Sequence, residues 1–171
     1  QRQMCIRDSK TTVPWMKKEF RKLEFESSRI IVQIPERDAA KHIKQTKSLV
    51  DHMRKLGVGF AIEHYGIDQK RFHMLDMLKP DYVKIDGEII HALMKDKSMH
   101  SIVERIVSAA HERDIRTIAE RVENANALAV LFQLGLDFMQ GHYVHEPEVV
   151  LSDTDSVVET TLEELAAVSG S

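Results

Sequence analysis

Five short apolar runs recur along this chain, most of them carrying polar or charged residues toward their ends, with stretches of helical spacing between them. The runs are Ile30-Ile31-Val32-Gln33-Ile34, Phe60-Ala61-Ile62-Glu63-His64-Tyr65-Gly66, Tyr82-Val83-Lys84-Ile85-Asp86, Thr117-Ile118-Ala119-Glu120-Arg121-Val122-Glu123 and Asp137 to Val144. Continuous apolar runs this short suit strands covered on both faces, which is the pattern of parallel sheets. Between them the apolar positions recur every three to four residues: Ile43, Leu49, Val50, Met53 and Leu56 before Gly57, then Phe72, Leu75 and Leu78, then Ile102, Val103, Ile106, Val107 and Ala110. The spacing predicts helices over 38–56, around 72–78, over 88–94, from 98 to about 113 and over 125–134, with Asp38 capping the first of these. An earlier helix over 15–25 carries Trp15, Met16, Phe20 and Leu23. Strands alternating with helices make parallel βαβ units with right-handed crossovers. In a β/α barrel the strand ends collect at one face, so the polar termini of the runs mark the expected site. Five strands fall short of closing such a barrel, and the fold class expected is α/β, an incomplete TIM-type barrel.

Composition narrows the function. A net charge of -3 over 171 residues gives no basic face for duplex nucleic acid. No apolar run approaches the length of a membrane span, and the single cysteine, Cys5, excludes an internal disulfide framework and suits a reducing cytoplasm. Gln1 to Ser9 lacks periodicity and turn logic and is read as a non-native scar; 10–150 is read as the domain and 151–171 as an acidic tail. In that tail Val157, Val158, Thr161, Leu162 and Leu165 can line one face of a short helix. The nine histidines show no metal-ligand spacing, and most methionines read as core filler.

Taken together, Val32-Gln33-Ile34-Pro35-Glu36, Glu63-His64-Tyr65-Gly66, Lys84-Ile85-Asp86, Ala119-Glu120-Arg121-Val122-Glu123 and Gln140-Gly141-His142-Tyr143 resemble, in order and spacing, the second part of an EAL domain. The resemblance spans about Arg29 to Pro147. It implies a β/α barrel and, in active members, hydrolysis of cyclic di-GMP with two divalent metals. The first strands of the family, with its Glu-Ala-Leu signature and an Asn-x-Ser block, find no counterpart in this sequence. An incomplete barrel exposes sheet edges, which an upstream segment or a partner must cover, and truncation is the reading adopted.

Departures from the family pattern fall on its metal ligands. Gln33 stands where the family has the first Glu of a Glu-x-x-Glu block, and Glu63-His64 stands where it has Asp-Asp. Magnesium demands hard oxygen ligands in near-octahedral geometry at about 2.0–2.1 Å. Two ions about 3.5–4 Å apart need several carboxylates to offset their repulsion. With Gln33, Glu63 and His64 as degenerate positions and Glu123 as a remaining carboxylate, the sequence implies an inactive phosphodiesterase homologue with no cofactor; magnesium or manganese belongs only to the enzyme alternative.

The surviving groups suit a nucleotide. Lys84 corresponds to the family lysine near the metal-bound water and, without metals, can pair with a phosphate. Glu120 matches a family glutamate, and Arg121, replacing a family glycine, adds a positive charge at the site or points to solvent. Gln140 closes the last strand. Beyond it, Glu146 can accept both donors on the guanine Watson–Crick edge, His145 can stack on the base and Pro147 can fix the backbone between them. A Glu-Pro ending of this kind resembles degenerate EAL receptors of the FimX type, which bind cyclic di-GMP uncleaved and regulate type IV pili; a PilZ-type protein is the partner this implies. The plainer readings are a solvated loop for Glu146-Pro147, a buried ion pair for Lys84 with Asp86, and a structural role for Asp86. The alternatives to a receptor are a weak metal-dependent phosphodiesterase and an interaction scaffold that binds no nucleotide.

Overall fold

The computed structural model describes residues 9–22, 26–66 and 72–144. Its elements run α1 (Ser9–Lys22), a 3-10 turn (Ser27–Arg29), β1 (Ile31–Pro35), α2 (Glu36–Lys41), α3 (Ile43–Arg54), β2 (Gly59–Tyr65), α4 (His73–Leu78), β3 (Tyr82–Ile85), α5 (Gly87–Leu93), α6 (Ser98–His111), β4 (Arg116–Ala119), α7 (Ala125–Gln133) and β5 (Phe138–Met139). The strands form one parallel sheet in sequence order, β1-β2-β3-β4-β5. That is the α/β arrangement expected of part of a β/α barrel.

Register divides the strand residues between two faces. Ile34, Ile62, Val83 and Thr117 lie side by side, and with Phe60, Ile85 and Ala119 they are buried. The apolar members of this set join Leu49, Val50, Met53, Leu75, Ile90, Ile106 and Leu131 from the helices in one core. On the other face Gln33, Ala61, Tyr82 and Arg116 are in register, as are Lys84, Ile118 and Phe138. Here Arg116 lies over the Tyr82 ring, and Tyr82 meets Phe138 with centroids 6.1 Å apart.

Two aspartates at strand entries lock this register by the same device. Asp81, just before β3, accepts the Phe60 amide of β2 at 2.8 Å. Asp137, just before β5, accepts the Thr117 amide of β4 at 2.7 Å, the Thr117 hydroxyl at 2.8 Å and lies 2.9 Å from the His111 ring. Glycine is needed where backbones meet: a Cβ on Gly141 would collide with the Val122 main chain. Gly66, at φ +103, would drive a Cβ into Ile106 and Ile89.

Three expectations change. The helix over 38–56 is two helices, broken at His42, whose φ of -126 and ψ of 41 leave the helical region. Asp38 therefore sits inside α2, whose N-cap is Pro35. The last strand is Phe138–Met139 rather than 137–144, because Gly141 turns the chain against Val122, whose carbonyl accepts the Tyr143 amide. Met53 and Met74 fill the core as expected, whereas Met77 and Met94 are exposed. The tail helix and the reading of the first residues fall outside the described residues, apart from Ser9, which begins α1.

Asp137 generates a pH prediction. Burial works against its charge, but the hydrogen bonds from the Thr117 amide, His111 and the Thr117 hydroxyl outweigh it and hold the carboxyl below its usual range. A depressed carboxylate contributes stability above its unfolded pKa of about 3.9, and that contribution fades as pH falls through the lower folded value. Asp137→Asn should cost ~1–2 kcal/mol at neutral pH, the low side for a charged hydrogen bond because the carboxyl is a third exposed. Urea midpoints of the variant and the parent should converge in strong acid, and a constant gap down to low pH would contradict this assignment.

Candidate functional site at the strand ends

β3 delivers Lys84 and Asp86 to the strand-end face, and their neighbours order themselves around these two. The Lys84 ammonium, 10% exposed in its side chain, lies 2.9 Å from Glu120 Oε1 and donates to Gln33 Oε1 at 3.0 Å. One side chain thus ties the ends of β1, β3 and β4. The expected alternative of a Lys84–Asp86 ion pair is not what forms. Asp86 instead caps α5, its Oδ1 accepting the Glu88 amide at 2.8 Å, which is the structural role anticipated for it.

His64 reaches the same cluster through a bulge. Ile62 pairs with Val83 and Tyr65 with Ile85, so Glu63 and His64 together oppose Lys84. Bulges re-aim side chains. His64 adopts φ 53, and its Nδ1 stands 3.2 Å from Asp86 Oδ2 and 3.5 Å from Glu120 Oε2. Glu63 is half-buried opposite Pro35 and forms no hydrogen bond or ion pair among the described residues. Behind this layer, burial and the nearby Glu36 carboxylate push the Tyr65 hydroxyl above its ordinary range, which keeps it neutral.

Arg121 sits at the edge of the cluster. Its φ is 55, the left-handed region where the family pattern has glycine, and its side chain folds over Gly87. Its Nη1 donates to Glu88 Oε1 at 2.7 Å, with both side chains largely exposed. Arg121 is thus solvated, one of the two sequence readings of it. Glu123 is exposed and joins none of these contacts. Gln140 is also exposed; its backbone donates to Ala119 and accepts from Val122, fastening the end of β5 to β4. His145, Glu146 and Pro147 lie outside the described residues.

Among the described residues no three His, Cys, Asp or Glu side chains converge in a way that can hold a metal ion. The donor chemistry agrees. Gln33 brings no charge and faces an ammonium, Glu120 is engaged by Lys84 on one oxygen, and an imidazole stands beside its other oxygen. Two adjacent divalent ions need several free anionic oxygens, and of Gln33, His64 and Glu120 only Glu120 brings a carboxylate, with Glu63 and Asp86 the others at these strand ends.

Parallel β/α units with a lysine and carboxylates gathered at the strand ends define part of a β/α-barrel domain with its site at the barrel mouth. The EAL domain model matches residues 4–147, and the chain belongs to the EAL domain family. The cyclic di-GMP phosphodiesterase PdeF of Escherichia coli is 28% identical over 136 residues, 80% of this chain and 18% of that protein. The cyclic di-GMP phosphodiesterase PdeB of Shewanella oneidensis is 28% identical over 140 residues, 82% of this chain and 16% of that protein. The crystal structure of the FimX EAL domain from Pseudomonas aeruginosa bound to c-di-GMP superposes with a TM-score of 0.74 at 28% identity, covering 78% of this chain and 55% of that one. The chain thus spans about half of that solved domain and less than a fifth of these two curated relatives.

Two predictions test the cluster. Lys84→Met should destabilise the fold by about 2–4 kcal/mol, since it leaves the largely covered Glu120 carboxylate without its cation. Lys84→Met with Glu120→Gln should recover much of that loss in urea unfolding, and simple additivity of the two changes would refute the coupling. Arg121→Gly should stabilise by about 0.5–1 kcal/mol through relief of the left-handed backbone, because the exposed pair with Glu88 contributes little. A lower melting temperature for that variant would contradict it.

Proposed function

We propose that this chain is the nucleotide-binding part of a catalytically degenerate EAL domain, a cyclic di-GMP receptor rather than a phosphodiesterase. The observation that carries the reading is the neutral Gln33 amide, standing where the family pattern has a carboxylate and held by the Lys84 ammonium beside Glu120. The FimX EAL domain, bound to c-di-GMP in its crystal structure, supplies the ligand class. Guanine is read by Glu146, with His145 stacking and Pro147 setting the backbone; Gln140, Glu120 and Arg121 line the approach. Because Lys84 is already paired, its role is to hold Glu120 and Gln33 in place as the phosphates arrive, and Arg121 is the exposed cation available to them. Placing the chain with FimX-type receptors extends the reading to type IV pili and a PilZ-type partner in the cytoplasm.

A second reading follows from the names of PdeF and PdeB, both phosphodiesterases: a weak enzyme in which Glu63 and Glu120 hold magnesium or manganese. Calorimetry separates the two. With chelator present, cyclic di-GMP should still bind, cyclic di-AMP should bind poorly, and Glu146→Ala should weaken binding by about 1.5–3 kcal/mol, the scale of hydrogen bonds to a charged group. Manganese should leave the melting temperature unchanged. Release of linear pGpG on adding manganese would select the enzyme, and absence of both binding and turnover would leave an interaction scaffold.

A further inference from the structure

Outside the Lys84 cluster, α2, the start of α3 and α4 enclose a pocket of about 450 Å³. Its lining is divided by chemistry: Ile43, Met74 and Met77 are apolar, while Arg37, Lys41 and His73 are basic. Arg37 and Lys41 stand four residues apart on α2, both exposed, and neither side chain forms a hydrogen bond or ion pair among the described residues. Met77 is 42% exposed beside them. Two unpaired cations over a methionine-rich hollow call for an occupant that is both apolar and acidic.

The chain carries such a segment. From Glu148 to Ser171 the only charged side chains are Glu148, Asp153, Asp155, Glu159, Glu163 and Glu164, and no Lys or Arg follows Arg121. On a helix Val158, Leu162 and Leu165 fall on one stripe, and Glu159 and Glu163 flank it four residues apart. That interval matches Arg37 and Lys41, since side chains four apart lie ~5–6 Å from each other on a helix. The stretch from Val144 to Val157 reaches ~40 Å when extended, about the width of a domain this size. Attachment to the same chain raises the segment's effective concentration at the pocket.

We propose that the acidic segment around residues 157–165 docks as a helix in the pocket between α2 and α4 of its own chain, Val158, Leu162 and Leu165 against Ile43, Met74 and Met77, and Glu159 and Glu163 against Arg37 and Lys41. This surface shares no residue with the Lys84 cluster. It places a contact on α2, whose first residue follows directly from β1, the strand that carries Gln33.

The test uses the 171-residue chain with methyl-labelled methionine, Cys5→Ser, and a nitroxide at Ser156→Cys. Docking should abolish the Met74 and Met77 methyl signals while Met94, at the end of α5 in the next β/α unit, keeps its own. Arg37→Glu with Lys41→Glu should restore the Met74 and Met77 signals. Adding Glu159→Lys and Glu163→Lys should abolish them again, a rescue that misfolding of the charge-reversed chain cannot mimic. Signals that persist in the parent, that vanish equally at Met94, or that ignore the charge reversal would overturn the proposal. So would loss of signal when spin-labelled chains are mixed with separately methyl-labelled ones, since the occupant would then be a second copy.

Discussion

A buried ammonium is costly unless every proton finds a partner, and the strand-end face is arranged around meeting that cost for Lys84. Its side chain leaves β3 on the face opposite the helix-packed core and ends between an amide oxygen from β1 and a carboxylate following β4. Those two partners lie far apart in sequence, so the contact forms only when the parallel register is correct. Slipping β3 by one residue would send Lys84 into the apolar layer occupied by Val83 and Ile85. The same residue therefore specifies register and sets the electrostatics of the mouth. A tethered cation differs from a bound ion in one respect that matters for function. It cannot dissociate, so Gln33 and Glu120 are held by the chain itself.

The order of strands was legible because a doubly covered parallel strand leaves an unambiguous record, a short apolar run that stops on polar groups. Lys84, Glu120, His64 and Gln33 could be placed at one face from that record together with the family pattern, since each lies near the polar end of its run. What escaped was geometry that depends on the partner strand. The bulge at Glu63-His64 is a mismatch between β2 and β3 and leaves no periodic signal in either. The break at His42 falls inside a stripe whose spacing reads as one continuous helix, and the short β5 reflects Gly141 pressing on Val122, a contact between distant segments. The Asp81 and Asp137 locks left a trace that was available: an aspartate immediately before an aromatic residue opening a strand, Asp81-Tyr82 and Asp137-Phe138.

Backbone strain separates ordinary punctuation from features of the site. Among the described residues four that are not glycine have positive φ. Lys79 and Asp114 follow α4 and α6, where a left-handed residue closes a helix in the usual way. His64 and Arg121 close no helix. Both stand at strand ends, one on each side of Lys84 in the sheet, and their side chains turn to Asp86 and Glu88, neighbouring residues at the start of α5. Non-glycine residues persist in this conformation only where surrounding contacts over-determine them, and such positions concentrate at binding sites. The family pattern has glycine in place of Arg121, a residue that would adopt this conformation without strain. Arginine there gives up that freedom and places a guanidinium on the rim beside a cluster whose own cation is already neutralised. The exchange puts an exposed positive charge on the rim, against Glu88, at the cost of a strained backbone.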